Sequence, residues 1–309
     1  MAYELENRLV IAIASSALFD LSESDRIFNE KGVEVYEKYQ KDNLNIPLKK
    51  GVAFPFIKKL LNLNEVLPKN NKIEVILLSR NSINTGLRVF RSISEYDLDI
   101  SRAGFFSGKS PYKYIPAFDA SLFLSANEKD VRNAIEAGFP AGQVLGMFKD
   151  DEESQRIDDE FRIAFDFDGV IATDESEIVY KEQGMQKYHQ YEKEFGNKPL
   201  ELGPAGGLIK KISYLQRLEK AHNSKKENYT SKIRISIVTA RNAPAHERVI
   251  TTLNHHGISV DEAFFLGGVE KKQVLEVMKP HIFFDDQKVH LDNLENVPSV
   301  HIPFGIANR

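Results

Sequence analysis

Ile163-Ala164-Phe165-Asp166-Phe167-Asp168-Gly169-Val170 is an apolar run that ends in two carboxylates one residue apart. The run predicts a buried strand over Ile163–Phe167, and Gly169 permits a sharp exit from extended backbone. Two carboxylates brought together repel, so the pattern points to a hard divalent cation between them. A solvated Asp-x-Asp-Gly turn is the plainer alternative for this segment by itself.

Three further features fall at strand ends downstream. Ile237-Val238-Thr239-Ala240-Arg241-Asn242 puts a hydroxyl after an apolar strand and ahead of a helix. Thr239 with the N–H groups of Ala240, Arg241 and Asn242 suits an anion, unless Thr239 is only a helix cap. Lys271-Lys272 follows Phe265-Leu266-Gly267-Gly268, and Lys271 has the better spacing to the final strand for neutralising a phosphoryl oxygen. Ile282-Phe283-Phe284-Asp285-Asp286 again ends a strand in paired acids.

Residues 11–59 lie over residues 163–211 at one constant offset without a gap. Identical pairs include Ser24/Ser176, Gly32/Gly184, Tyr36/Tyr188, Tyr39/Tyr191, Pro47/Pro199, Gly51/Gly203 and Ile57/Ile209. After a longer insert around Leu218–Lys232 the match resumes, with Arg80-Asn81 facing Arg241-Asn242, Arg88-Val89 facing Arg248-Val249 and Phe123 facing Phe283. Such a repeat predicts two homologous halves, residues 1–150 and 156–309.

Each half opens on a strand (Leu9–Ala14; Ile163–Phe167) followed by a Tyr-rich helical segment. A second strand (Ile73–Leu78; Ile233–Val238) runs into a helix (Asn84–Ser94; Ala243–His255), and a short strand closes the half (Ser121–Leu124; His281–Phe284). Buried strands alternating with helices predict an α/β fold of Rossmann-like, doubly wound parallel sheets, with chemistry at the carboxyl ends of the strands. The segment at about 171–232 reads as a small cap insertion in the second half. Its Leu202–Gly207 stretch suits a loop close to the ligand, or equally a plain turn.

The first half lacks the chemical groups. It has Ala14 and Ser16 facing Asp166 and Asp168, Leu78 facing Thr239, and Ser125 and Ala126 facing Asp285 and Asp286. It reads as an inactive copy that covers the site, supplies contacts through Ser79–Ser82, or serves packing alone.

Composition narrows the classes. A formal net charge of −4 over 309 residues leaves no excess of Lys and Arg for nucleic acid. Absence of Cys excludes disulfides, thiolate metal sites and a cysteine nucleophile. No apolar run reaches membrane-spanning length and no leader pattern is visible, so a cytoplasmic protein without a membrane partner is expected. Homo-oligomerisation stays open.

The ordered set Asp-x-Asp-Gly-Val, strand-end Thr, Lys and strand-end Asp-Asp resembles the four motifs of the haloacid dehalogenase (HAD) superfamily. More widely, the chain resembles the cytosolic 5′-nucleotidase I family. The segments that carry this are Ser79-Arg80-Asn81-Ser82, Gly86-Leu87-Arg88-Val89-Phe90, Leu98–Ala103, Phe165–Val170, Asp174-Glu175-Ser176-Glu177, Leu202-Gly203-Pro204 and Pro280–Gln287. The resemblance implies Mg²⁺-dependent hydrolysis of nucleoside 5′-monophosphates through an aspartyl-phosphate. In it Asp166 is the nucleophile and Asp168 the acid and base, while Thr239 and Lys271 hold phosphoryl oxygens. The metal ligands implied are Asp166, the backbone carbonyl of Asp168 and Asp285, with Asp286 as a further ligand or an anchor. A phosphatase for sugar phosphates, or a nucleotide-binding regulator without turnover, are the alternatives. The regulator has no need of Asp168.

Overall fold

A computed structural model describes Leu5, residues 8–146 and residues 159–309, so the boundary expected between 150 and 156 lies outside the described residues. Contiguous β-branched and aromatic runs become strands buried on both faces, as expected of parallel sheets. In the first half these are β1 (Leu9–Ile13), β2 (Ile73–Ser79), β3 (Arg102–Phe105), β4 (Leu122–Ser125) and β5 (Ala141–Leu145). In the second they are β6 (Phe161–Phe165), β7 (Ile233–Thr239), β8 (Glu262–Phe265), β9 (Ile282–Asp285) and β10 (Ser299–His301). β3 and β8 are only half-buried, β10 spans three residues and β5 carries Gly142 and Gln143, so none of the four shows a clear apolar run.

All ten form one sheet in the order β8-β7-β6-β9-β10-β5-β4-β1-β2-β3. Read inward from either outer edge, the chain order of strands within each half is the same. Every neighbouring pair is parallel except β10 and β5, which meet antiparallel with His301 opposite Gln143. This junction is close. A Cβ on Gly142 would stand 2.3 Å from Val300 Cγ1.

The polarity reversal has a direct consequence. Carboxyl ends of β1–β5 open at one edge of the sheet and those of β6–β10 at the other. The Ser79–Ser82 loop, at the end of β2, therefore leaves from the edge opposite Asp166. Of the roles expected for the first half, nucleoside contact through this loop does not fit that direction.

After a single turn at Ser15–Leu18, the helices of the first half are α1 (Ser22–Asp42), α2 (Phe54–Asn62), α3 (Ile83–Glu95) and α4 (Glu128–Glu136). The second has α5 (Glu175–Phe195), α6 (Gly206–Asn223), α7 (His246–His256), α8 (Lys271–Met278) and the single turn α9 (Lys288–Leu291). Ser82 caps α3 by accepting from the Thr85 N–H, and Asn127 caps α4 in the same way through Asp130. The segment expected as one cap divides in two. α6 lies on the sheet through Leu208, Ile209, Ile212 and Leu215, which share the central core. Gly203 is pressed onto the Ala172 carbonyl, where a Cβ would come within 2.4 Å, and with Phe139, Pro140 and Phe304 it borders a cleft of about 460 Å³ between the halves.

The core runs across both halves, with Phe56 against Phe161 at 5.7 Å between ring centroids. Among the described residues no helix is long and apolar enough to cross a membrane.

Candidate active site

β6 delivers Asp166 one residue beyond its end. The Asp166 N–H donates to Phe284 O at 2.8 Å, which ties the loop to β9. Gly169 then turns with φ +69°, and a Cβ there would stand 2.6 Å from Asp286 Oδ2, so only glycine lets the loop pass over that carboxylate.

Lys271 opens α8 and is buried. Its Nζ lies 2.8 Å from Asp166 Oδ2 and 2.7 Å from Asp285 Oδ2. Lys272 is instead 38% exposed and pairs with Glu276 on the surface. Burial disfavours the Lys271 ammonium, but Asp166 and Asp285 outweigh it and hold the group charged. Burial likewise raises Asp166, to about 7, against the pull of Lys271.

The paired acids at the end of β9 differ sharply. Asp285 has both oxygens engaged, by Lys271, by the Gln287 N–H at 2.8 Å and by His290 Nδ1 at 3.2 Å. Burial opposes its charge, yet Lys271 and His290 bring its carboxyl below the ordinary range. Asp286 is buried with no hydrogen-bond partner on either oxygen among the described residues. Burial and the charges of Asp166 and Asp285 push it up to about 10. His290, which the sequence reading missed, joins Asp166 and Asp285 in a group whose ligand atoms lie within 4.8 Å of one another.

Asp168 is gripped by a buried guanidinium. Arg241 donates from Nε to Asp168 Oδ2 and from Nη2 to Oδ1, both at 2.7 Å, and its Nη1 reaches Glu192. Thr239 ends β7 beside β6 and its Oγ1 accepts from the Arg241 N–H at 3.3 Å. α7 begins only at His246, so Ala240, Arg241 and Asn242 lie in a loop and not in a first helical turn. Arg241 in particular turns its side chain inward onto Asp168 and Glu192. Glu192 carries no sequence signal, because nothing local marks a helix glutamate as buried.

The register also revises one pairing. β2 and β7 are both seven residues long, Ile73 aligning with Leu9 and Ile233 with Phe161. Ser79 rather than Leu78 therefore stands where Thr239 stands.

Paired acids, a buried lysine and a strand-end hydroxyl lie at the carboxyl ends of neighbouring parallel strands, where α/β folds place their sites. The chain belongs to the 5′-nucleotidase family, whose model, described as 5'-nucleotidase, matches residues 1–309. It is 34% identical over 301 residues to human cytosolic 5'-nucleotidase 1B, a match covering 96% of this chain and 48% of the relative. The chain thus spans about half the length of that curated relative. No solved structure matches.

Proposed function

We propose that the protein hydrolyses nucleoside 5′-monophosphates to nucleoside and phosphate, with Asp166 as the nucleophile. The observation that carries this reading is the ammonium of Lys271 shared between Asp166 and Asp285 beside an unpartnered Asp286. A carboxylate held by one buried cation, next to free hard-oxygen donors, is equipped to approach a phosphate that bare carboxylates would repel.

The donor set fits Mg²⁺. Asp286 has two buried oxygens without donors among the described residues, which is where a hard cation finds ligands. Asp166, Asp286 and the Asp168 carbonyl would hold it, with Asp285 anchoring Lys271 and His290. When bound, the cation neutralises carboxylate and phosphate charge.

In the first step an Asp166 oxygen forms a bond to phosphorus as the bond to the nucleoside O5′ breaks. Asp168 gives its proton to that oxygen, so the nucleoside leaves as an alcohol and Asp168 becomes a carboxylate. In the second, Asp168 takes a proton from water, whose oxygen attacks phosphorus and releases phosphate and Asp166. Lys271 and Thr239 hold the phosphoryl oxygens.

The two halves are read as copies of one HAD-like unit, residues 1–150 and 156–309, with the first inactive. Support comes from the shared strand order, from matched kinks at Gly32 and Gly184, and from the absence of acids at Ala14, Ser125 and Ala126.

A phosphate-release screen over nucleoside monophosphates and sugar phosphates, with and without Mg²⁺, tests the function. Turnover of nucleoside monophosphates only with the metal is expected. Preference for sugar phosphates overturns the reading.

A further inference from the structure

Glu192 lies on α5, fully buried, and belongs to none of the four motifs. Its Oε1 accepts from Ser176 Oγ at 2.7 Å and from Arg248 Nη1 at 3.2 Å, and its Oε2 accepts from Arg241 Nη1. Arg248 is fixed in turn by the Lys198 carbonyl at 2.9 Å and lies over the Tyr191 ring.

The first half places corresponding residues together with an amide in place of the carboxylate and the serine bond reversed. Gln40 is buried, donates to Ser24 Oγ at 2.9 Å and accepts from Arg88 Nη1 at 3.2 Å. Arg88 donates to the Ile46 carbonyl at 3.0 Å and lies over the Tyr39 ring. Ser24, Tyr39, Gln40, Ile46 and Arg88 thus play the parts of Ser176, Tyr191, Glu192, Lys198 and Arg248. A neutral amide satisfies all the hydrogen bonds that hold this helix down. The carboxylate appears only where a second guanidinium, Arg241, must be held, and Arg241 grips Asp168. In the first half Arg80 instead turns to Asp130, and no acid stands at Ser16.

We infer that Glu192 is a positioning residue for the acid–base step, acting through Arg241 to fix Asp168. A buried charge is costly unless a partner needs it, and the partner that distinguishes this half from the first is Arg241. The inference rests on the nucleotidase reading above.

Glu192→Gln installs the residue that the first half already carries. The readout is kcat/KM on the nucleoside monophosphate that the unmodified protein turns over fastest, against 4-nitrophenyl phosphate. The first leaves as an alkoxide and needs a proton from Asp168, whereas 4-nitrophenolate leaves unprotonated. A loss of about 10-fold or more on the nucleotide, with at most about a 2-fold loss on the aryl ester and a folded circular-dichroism spectrum, is expected. Equal losses on both substrates, or none, overturn the inference. Arg241→Lys, which keeps the charge but not the two-pronged grip, is expected to show the same bias and decides the matter if Glu192→Gln fails to fold. Absence of nucleotide turnover by the unmodified protein would instead overturn the functional reading itself.

Discussion

Gly32 and Gly184 interrupt two helices of equal length with the same backbone, φ 78° and ψ −179° in one and φ 79° and ψ 175° in the other. Nothing lies within 4 Å of a Cβ built on either, so their shared requirement is conformational and not steric. Only glycine enters this region cheaply. Replacing either by Ala is expected to cost about 1–3 kcal/mol, read as a shift in the urea unfolding midpoint. Similar costs at the two positions are expected, and a free substitution at one of them would separate the helices.

Asp166→Asn keeps the shape of the proposed nucleophile and removes its reactivity. Phosphate release is expected to fall by at least about 10³-fold with a folded circular-dichroism spectrum. Activity near that of the unmodified protein would exclude Asp166 as nucleophile.

In the proposed site Asp286 is a ligand to the cation, so Mg²⁺ should stabilise the folded chain. At a concentration about 100 times Kd the gain is about 2.7 kcal/mol, seen as a rise in melting temperature. Asp286→Asn is expected to abolish that rise, and a mutant that still responds would move the ligand elsewhere.

The metal-free protein should lose stability as pH rises. Asp166, raised to about 7, and Asp286, raised to about 10, keep protons in the folded state that the unfolded chain releases above the ordinary carboxyl range. The unfolded state then binds fewer protons, so stability falls with pH, more steeply below about 7, where both groups contribute, than between about 7 and 10. Melting curves in chelator from pH 5 to 9 check this. Asp286→Asn should flatten the slope, and Mg²⁺ should do so in the unmodified chain.

At the junction, Gly142 faces Val300 with no room for a methyl. Gly142→Ala forces β5 and β10 apart and is expected to cost about 1–3 kcal/mol, measurable by chemical denaturation. A neutral substitution would mean that the two half-sheets separate without penalty.

The long apolar strands and the acid motifs were legible because they are local patterns. β2 and β7 were placed to within one residue, since β-branched runs of that length have few other solutions. β6 was expected two residues late, because Phe167 continues the apolar run although the strand ends at Phe165 and Phe167 packs from the loop. Short strands such as β8 are held by neighbours and not by their own pattern.

From the sequence alone came the pairing of Asp166 with Asp168, the Thr–Lys–Asp-Asp order after it and the match between the halves, since each is a matter of residue type and spacing. Which lysine is buried, which acid of Asp285-Asp286 is left without a partner, and that Glu192 reaches Arg241 were decided by tertiary structure. So was the edge at which the first half's strands end. Each of these depends on where strands distant in the chain come to lie and in which direction they run. Spacing along the chain does not carry that information.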